Sequence, residues 1–106
     1  MANIASEKVF LAGVIKHTAK LFEYVEYLDE DDFQHSATRM TFEALSSLVL
    51  NKETVKVTKA KLVSEAKALG HQNYLSATNN GEWLDELLSE EVSADEIDGF
   101  FLEVKR

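Results

Sequence analysis

The stretch from Asp29 to Val49, DEDDFQHSATRMTFEALSSLV, constrains the fold more than any other part of the chain. Its four adjacent carboxylates, Asp29-Glu30-Asp31-Asp32, end one helix and form a turn. Phe33 follows as an apolar anchor and Ser36 as a candidate helix cap. Phe42, Leu45 and Val49 then share one helical face, with Met40 and Leu48 flanking it. The spacing predicts a helix from about Ser36 to Leu50. Arg39 lies off that face and is read as pairing with a nearby carboxylate or facing a partner.

The same short helical period recurs on both sides. Before the acidic turn, a helix is expected from about Ser6 to His17, with Ser6 as its cap and Ile4 stapled onto Phe10. Its stripe is Phe10, Leu11, Val14 and Ile15. Gly13 sits inside this helix at a cost of about 1 kcal/mol relative to alanine, which points to close approach of another helix. A second helix is expected from Thr18 to about Leu28. Leu21, Phe22, Val25 and Leu28 share its face, with Tyr24 and Tyr27 toward the edge.

After the central helix, Asn51 to Val57 reads as a loop, in which Val55 and Val57 alternating with Lys56 give a weak extended signal. Thr58 caps a helix to about Leu69, with Leu62, Val63, Ala66 and Leu69 facing inward and its lysines outward. Gly70 is its stop. A helical turn around Tyr74 and Leu75 leads to Asn79-Asn80-Gly81, a turn signal read as a helix-to-helix connector. Next comes a helix from about Glu82 to Glu90, with Trp83, Leu84, Leu87 and Leu88 apolar. Ser93-Ala94-Asp95-Glu96 fits a capping box that opens the last helix. Ile97, Phe100, Phe101 and Val104 form its stripe, the cleanest in the chain. That helix reaches Val104 with no stop signal, as in a domain taken from a longer protein.

With no proline, four widely spaced glycines and no segment of alternating apolar and polar residues, the 106 residues read as one domain, residues 1–106. The expected fold is all-α, a compact orthogonal bundle of about six or seven short helices. The core is assigned to Phe10, Val14, Phe22, Val25, Phe33, Phe42, Leu45, Leu62, Leu84, Leu87, Ile97, Phe100 and Val104.

Composition excludes several functions. Without cysteine there are no disulfides and no thiol chemistry, and a zinc site is disfavoured. The N-terminal segment lacks a basic leader and a small-residue cleavage site, so it does not read as a signal peptide. No run approaches the ~18 apolar residues of a membrane span. A net charge of −8 repels a phosphate backbone, so direct nucleic-acid binding is not expected. The charge is uneven: Glu23 to Asp32 holds six acids and no base, whereas Lys52 to Lys67 holds five lysines and two glutamates. These runs read either as solvated helix faces or as docking patches for protein partners. On the second reading the candidate docking residues are Tyr24, Tyr27, Arg39, Lys56 and Lys59.

No catalytic, cofactor-binding or metal residue is assigned. A Gly-rich phosphate loop and a Gly-x-Ser-x-Gly elbow are both absent. His17, His35 and His71 are not spaced as a zinc pattern. The acidic run has neither the glycine nor the distal glutamate of a calcium loop.

The order of motifs resembles the N-terminal domain of DnaB-type replicative DNA helicases, bacterial or phage, over nearly the whole chain. The resemblance starts at Glu7-Lys8-Val9-Phe10-Leu11-Ala12-Gly13-Val14-Ile15. It continues through Asp32-Phe33, Arg39, Phe42, Ala44-Leu45 and Leu48, then the helix of Thr58 to Leu69. Gly81-Trp83-Leu84 with Leu87, and Ser93-Ala94, Ile97, Phe100 and Val104, complete it. Ala12 stands at the usual glycine position, Thr38 at a usual histidine, Val92 at a usual proline and Glu96 at a usual asparagine, and the segment around Gly81 is short. These departures mark a divergent member. The resemblance implies a non-catalytic collar, often a trimer of dimers on a hexameric ring, that docks primase and sometimes a helicase loader in the cytoplasm of a bacterium or phage-infected cell. In that family ATP and magnesium belong to a RecA-like motor domain, which this chain lacks, and a helical hairpin after the head supplies much of the dimer contact. A free-standing helical adaptor, such as a phage helicase loader, is the alternative, and an enzyme is a distant third.

Overall fold

Helix α1, Ile4–Lys16, buries Phe10, Leu11, Ala12, Val14 and Ile15. It is therefore apolar around most of its circumference, and a single neighbour cannot cover it. Several later helices pack against it. The structure, a computed structural model, describes residues 4–53 and 56–105, and all of their side chains except those of residues 4 and 30. The expected staple of Ile4 on Phe10, and the Val55 half of the extended signal, lie outside the described residues.

Seven α-helices and no strand occur among the described residues, so the fold is all-α. Thr18–Tyr24 is α2, Ser36–Ser46 is α3 and Lys59–Ala68 is α4. Tyr74–Ala77 is α5, Glu82–Ser89 is α6 and Ala94–Lys105 is α7. Helix α1 lies most extensively against α7 and also meets α2, α3 and α6, while α4 packs on α3.

Gly13 is what lets α7 approach. A Cβ at that position would stand 2.5 Å from Cγ1 of Ile97 and 3.2 Å from Cγ1 of Val92. Both are buried side chains, so the cost of glycine inside α1 is offset by the packing it permits. Phe33 is fully buried between Phe42, stacked at 4.7 Å, and Phe10, at 6.4 Å. This aromatic row joins α1 to α3 and fixes the chain where it leaves the acidic turn.

Several caps form as their residues dictate. Thr58 accepts the Lys61 N–H at 3.3 Å. In the box that opens α7, Ser93 Oγ accepts the Glu96 N–H at 3.3 Å, and Glu96 Oε1 accepts the Ser93 N–H at 3.2 Å. Gly70 ends α4 with φ +95°, in the left-handed region that side chains disfavour. Two expected caps differ. Helix α1 already begins at Ile4, so Ser6 lies inside its first turn. Ser36 is the first residue of α3, and the cap position belongs to His35, whose side chain makes no capping bond.

The burial pattern corrects three assignments. Phe22, expected in the core, is 55% exposed, and Tyr24, placed toward the helix edge and among the docking candidates, is buried. Helix α2 buries the face of Leu21 and Tyr24, and Phe22 lies about 100° around the helix from Leu21. The helix also stops at Tyr24 and tightens into a 3-10 turn over Val25–Tyr27, which changes the phase that a longer helix would have kept. Leu69 is 45% exposed because it is the C-cap of α4, one residue beyond the packed helix. Val25 and Phe100 are half-buried against the core, and the other assigned core residues are buried.

Candidate functional site

Glu7 is fully buried, which is unusual for a carboxylate and requires partners. It reaches from α1 to the start of α3. Its oxygens accept the Gln34 N–H at 3.1 and 3.2 Å and the Thr38 hydroxyl at 2.5 Å, and the His35 ring stands 3.4 Å away. Glu7 thus accepts from the segment just before α3 and from a hydroxyl in its first turn, which ties α1 to the start of that helix. In sequence it is indistinguishable from any acid in a first helical turn, and only contacts some thirty residues away explain it.

A second cluster joins α2 to α7. The Tyr24 hydroxyl donates to Asp98, and Lys20 Nζ lies 3.1 Å from the same oxygen. These hydrogen bonds, that of Tyr24 first, hold the Asp98 carboxyl below the usual range. Burial, with Asp98 beside it, pushes the Tyr24 phenol up. The Asp98 hydrogen bond raises Lys20. In a third cluster, buried Glu65 on α4 accepts from Lys52 at 2.6 Å and from the Ser47 hydroxyl at the start of the π turn Ser47–Asn51. The Lys52 bond is the largest cause of its lowered pKa. The fourth pair, Glu43 and His71, stands 2.6 Å apart on the wall of an open cleft of about 760 Å³ beside the acidic turn.

These groups do not converge on one point. His17 bonds the Val92 carbonyl at 3.1 Å, His35 lies by Glu7, and His71 lies by Glu43. The acidic turn is used internally: Asp32 accepts the Asp29 N–H at 2.8 Å and pairs with Lys105 at 3.2 Å. Among the described residues, no group of three or more His, Asp or Glu side chains is placed to hold a metal ion. Nor is any described helix long and apolar enough to cross a membrane.

The five candidate docking residues fall into different settings. Tyr27 and Lys56 are exposed. Arg39, also exposed, donates to the Phe33 carbonyl at 3.3 Å instead of pairing with a carboxylate. Lys59 is half-buried and pairs with Asp85 at 3.1 Å, while Tyr24 belongs to the core. Between the end of α2 and α7, Phe22, Tyr27, Phe101, Glu23, Glu26 and Lys105 surround an open groove of about 590 Å³, with Tyr24 in its floor. Sequence reading missed Phe22 as a surface residue because it took the apolar period as evidence of burial.

The bundle, its single buried carboxylate bridge from α1 to α3 and its dispersed polar pairs fit a helical interaction module. The family model of the DnaB-like helicase N-terminal domain matches residues 1–106, the whole chain. The chain belongs to that family. No curated protein and no solved structure matches it. As a DnaB-like N-terminal domain, it corresponds to the head of such helicases and not to their motor. Within this DnaB-like domain, Glu7 opens the motif series that the family resemblance follows. Thr38 supplies the hydroxyl that Glu7 binds.

Proposed function

We propose that the chain is the non-catalytic head of a hexameric replicative DNA helicase. In this role it contributes to ring assembly and docks primase or a helicase loader during DNA replication in the cytoplasm. The observation that carries the reading is the family match across all 106 residues. The dispersion of the described polar clusters supports it, since catalysis needs groups that meet at one reacting atom. ATP and magnesium are the business of a separate motor domain, and DNA is not bound by this acidic head directly.

The test is a pull-down of the 106-residue chain with the C-terminal domain of the primase from the same genome, and with its helicase loader, at low and at high salt. Retention of either at low salt, weakened at high salt, is expected for charge-assisted docking. If neither is retained at low salt, the docking role is wrong.

A further inference from the structure

We propose that the groove between the end of α2 and α7 is the docking site for an amphipathic helix with a basic polar face, supplied by a protein partner. This rests on the reading of the domain as a docking head and adds the surface and its chemistry.

Three observations converge on the groove. First, it is apolar where a partner would touch it. Phe22 and Tyr27 are 55% and 58% exposed, and both line this one groove with Phe101. Scattered exposed apolar residues are ordinary, but aromatic side chains gathered on one groove are the anchors that interfaces use. Second, its floor is already ordered. Tyr24 stacks on Phe101 at 4.1 Å with the ring planes 13° apart, and the Tyr24 hydroxyl is held by Asp98. A pre-ordered floor spares a partner much of the entropic cost of docking.

Third, the charge selects the occupant. Glu23 and Glu26 line the groove, within a segment, Glu23 to Asp32, that holds six acids and no base. Lys20 lies 3.5 Å from Glu23, and the lining cation, Lys105, pairs with Asp32 at 3.2 Å. The local field is therefore negative. It attracts a cationic helix whose apolar face covers Phe22 and Tyr27. A second copy of this chain, itself carrying −8, is the wrong partner for that field.

The experiment is a titration of the isotope-labelled chain, followed by amide shifts, with two synthetic helical peptides about five turns long. They share a Leu/Phe face, and their polar faces are Lys or Glu. The Lys peptide is expected to shift amides over Phe22 to Tyr27 and around Phe101, with affinity falling as salt rises, and the Glu peptide to leave them unmoved. Phe22→Ser/Tyr27→Ser, which alters exposed residues only, should weaken the Lys peptide by about tenfold or more. Glu23→Gln/Glu26→Gln, which keeps the apolar wall, should weaken it by about tenfold at low salt and little at high salt. Equal binding of both peptides, or shifts confined to the cleft by His71, overturns the proposal. So does wild-type self-association in sedimentation that the Ser variant abolishes, since the occupant is then a second copy. Repeating the primase pull-down with the Ser variant separates the two claims. Primase held equally by wild type and variant overturns the groove and leaves the docking role standing. Primase and loader both unretained by wild type and variant, with the Lys peptide still seated in the groove, upholds the groove and overturns the docking role.

Discussion

Glu7 shows how much a single residue can carry without announcing it in sequence. Glutamate is almost never fully buried unless paired, and here the partners are Gln34 and Thr38, distant in sequence. Glu7→Ala leaves the Gln34 N–H without its acceptor and removes the carboxylate that the Thr38 hydroxyl binds. It should cost about 2–4 kcal/mol, seen as a lower urea midpoint by Trp83 fluorescence. A loss under about 0.5 kcal/mol, the range of ordinary surface changes, would mean that the carboxylate is not bridging the helices. Tyr74 makes a second residue-scale prediction. It is buried, its hydroxyl lies 2.7 Å from Thr41 Oγ1, and burial pushes its phenol up to about 12. An unfolded tyrosine ionises near about 10. The unfolded chain therefore loses that proton first, and stability should decline as pH rises from about 10 to about 12. Tyr74→Phe should flatten that decline without abolishing it, because Tyr24 is shifted the same way. Glu65 acts at the other end of the scale. Its folded pKa is depressed, so its contribution is present above the usual glutamate range and is lost as pH falls through the folded value.

At the scale of the element, two glycines separate intrinsic helix propensity from packing. Gly13 and Gly99 both sit inside helices, where alanine is ordinarily better by about 1 kcal/mol. A Cβ at Gly99 meets nothing within 4 Å, whereas one at Gly13 runs into Ile97. Gly99→Ala should therefore stabilise by about 0.5–1 kcal/mol. Gly13→Ala should destabilise by about 1–3 kcal/mol, since α7 must shift away. Thermal melts of the two variants check this, and shifts of the same sign would contradict it. Most helices were legible because each carries its own apolar period and several carry their own caps, as Ser93 and Thr58 do. The phase of α2 was not. Its seven residues end in a 3-10 turn, and the face it buries depends on Phe101 and Asp98, contributed by a helix at the far end of the chain. Phe22 is exposed and Tyr24 buried for that reason.

For the whole molecule, the all-α class and the family were readable because the order and spacing of packing residues run through the entire chain. The groove proposed as a docking surface was not, since exposure is a property of the packed bundle. Tyr27 was named as a docking candidate and Phe22 was placed in the core, yet the fold gathers both on one acidic groove. The domain is proposed to work by holding partners. Sedimentation velocity of the 106-residue chain, alone and mixed with the C-terminal domain of the primase from the same genome, tests it most directly. The expected result is that the chain alone self-associates weakly at most, while the mixture yields a faster species containing both proteins. Two components that sediment independently at every ratio would contradict it.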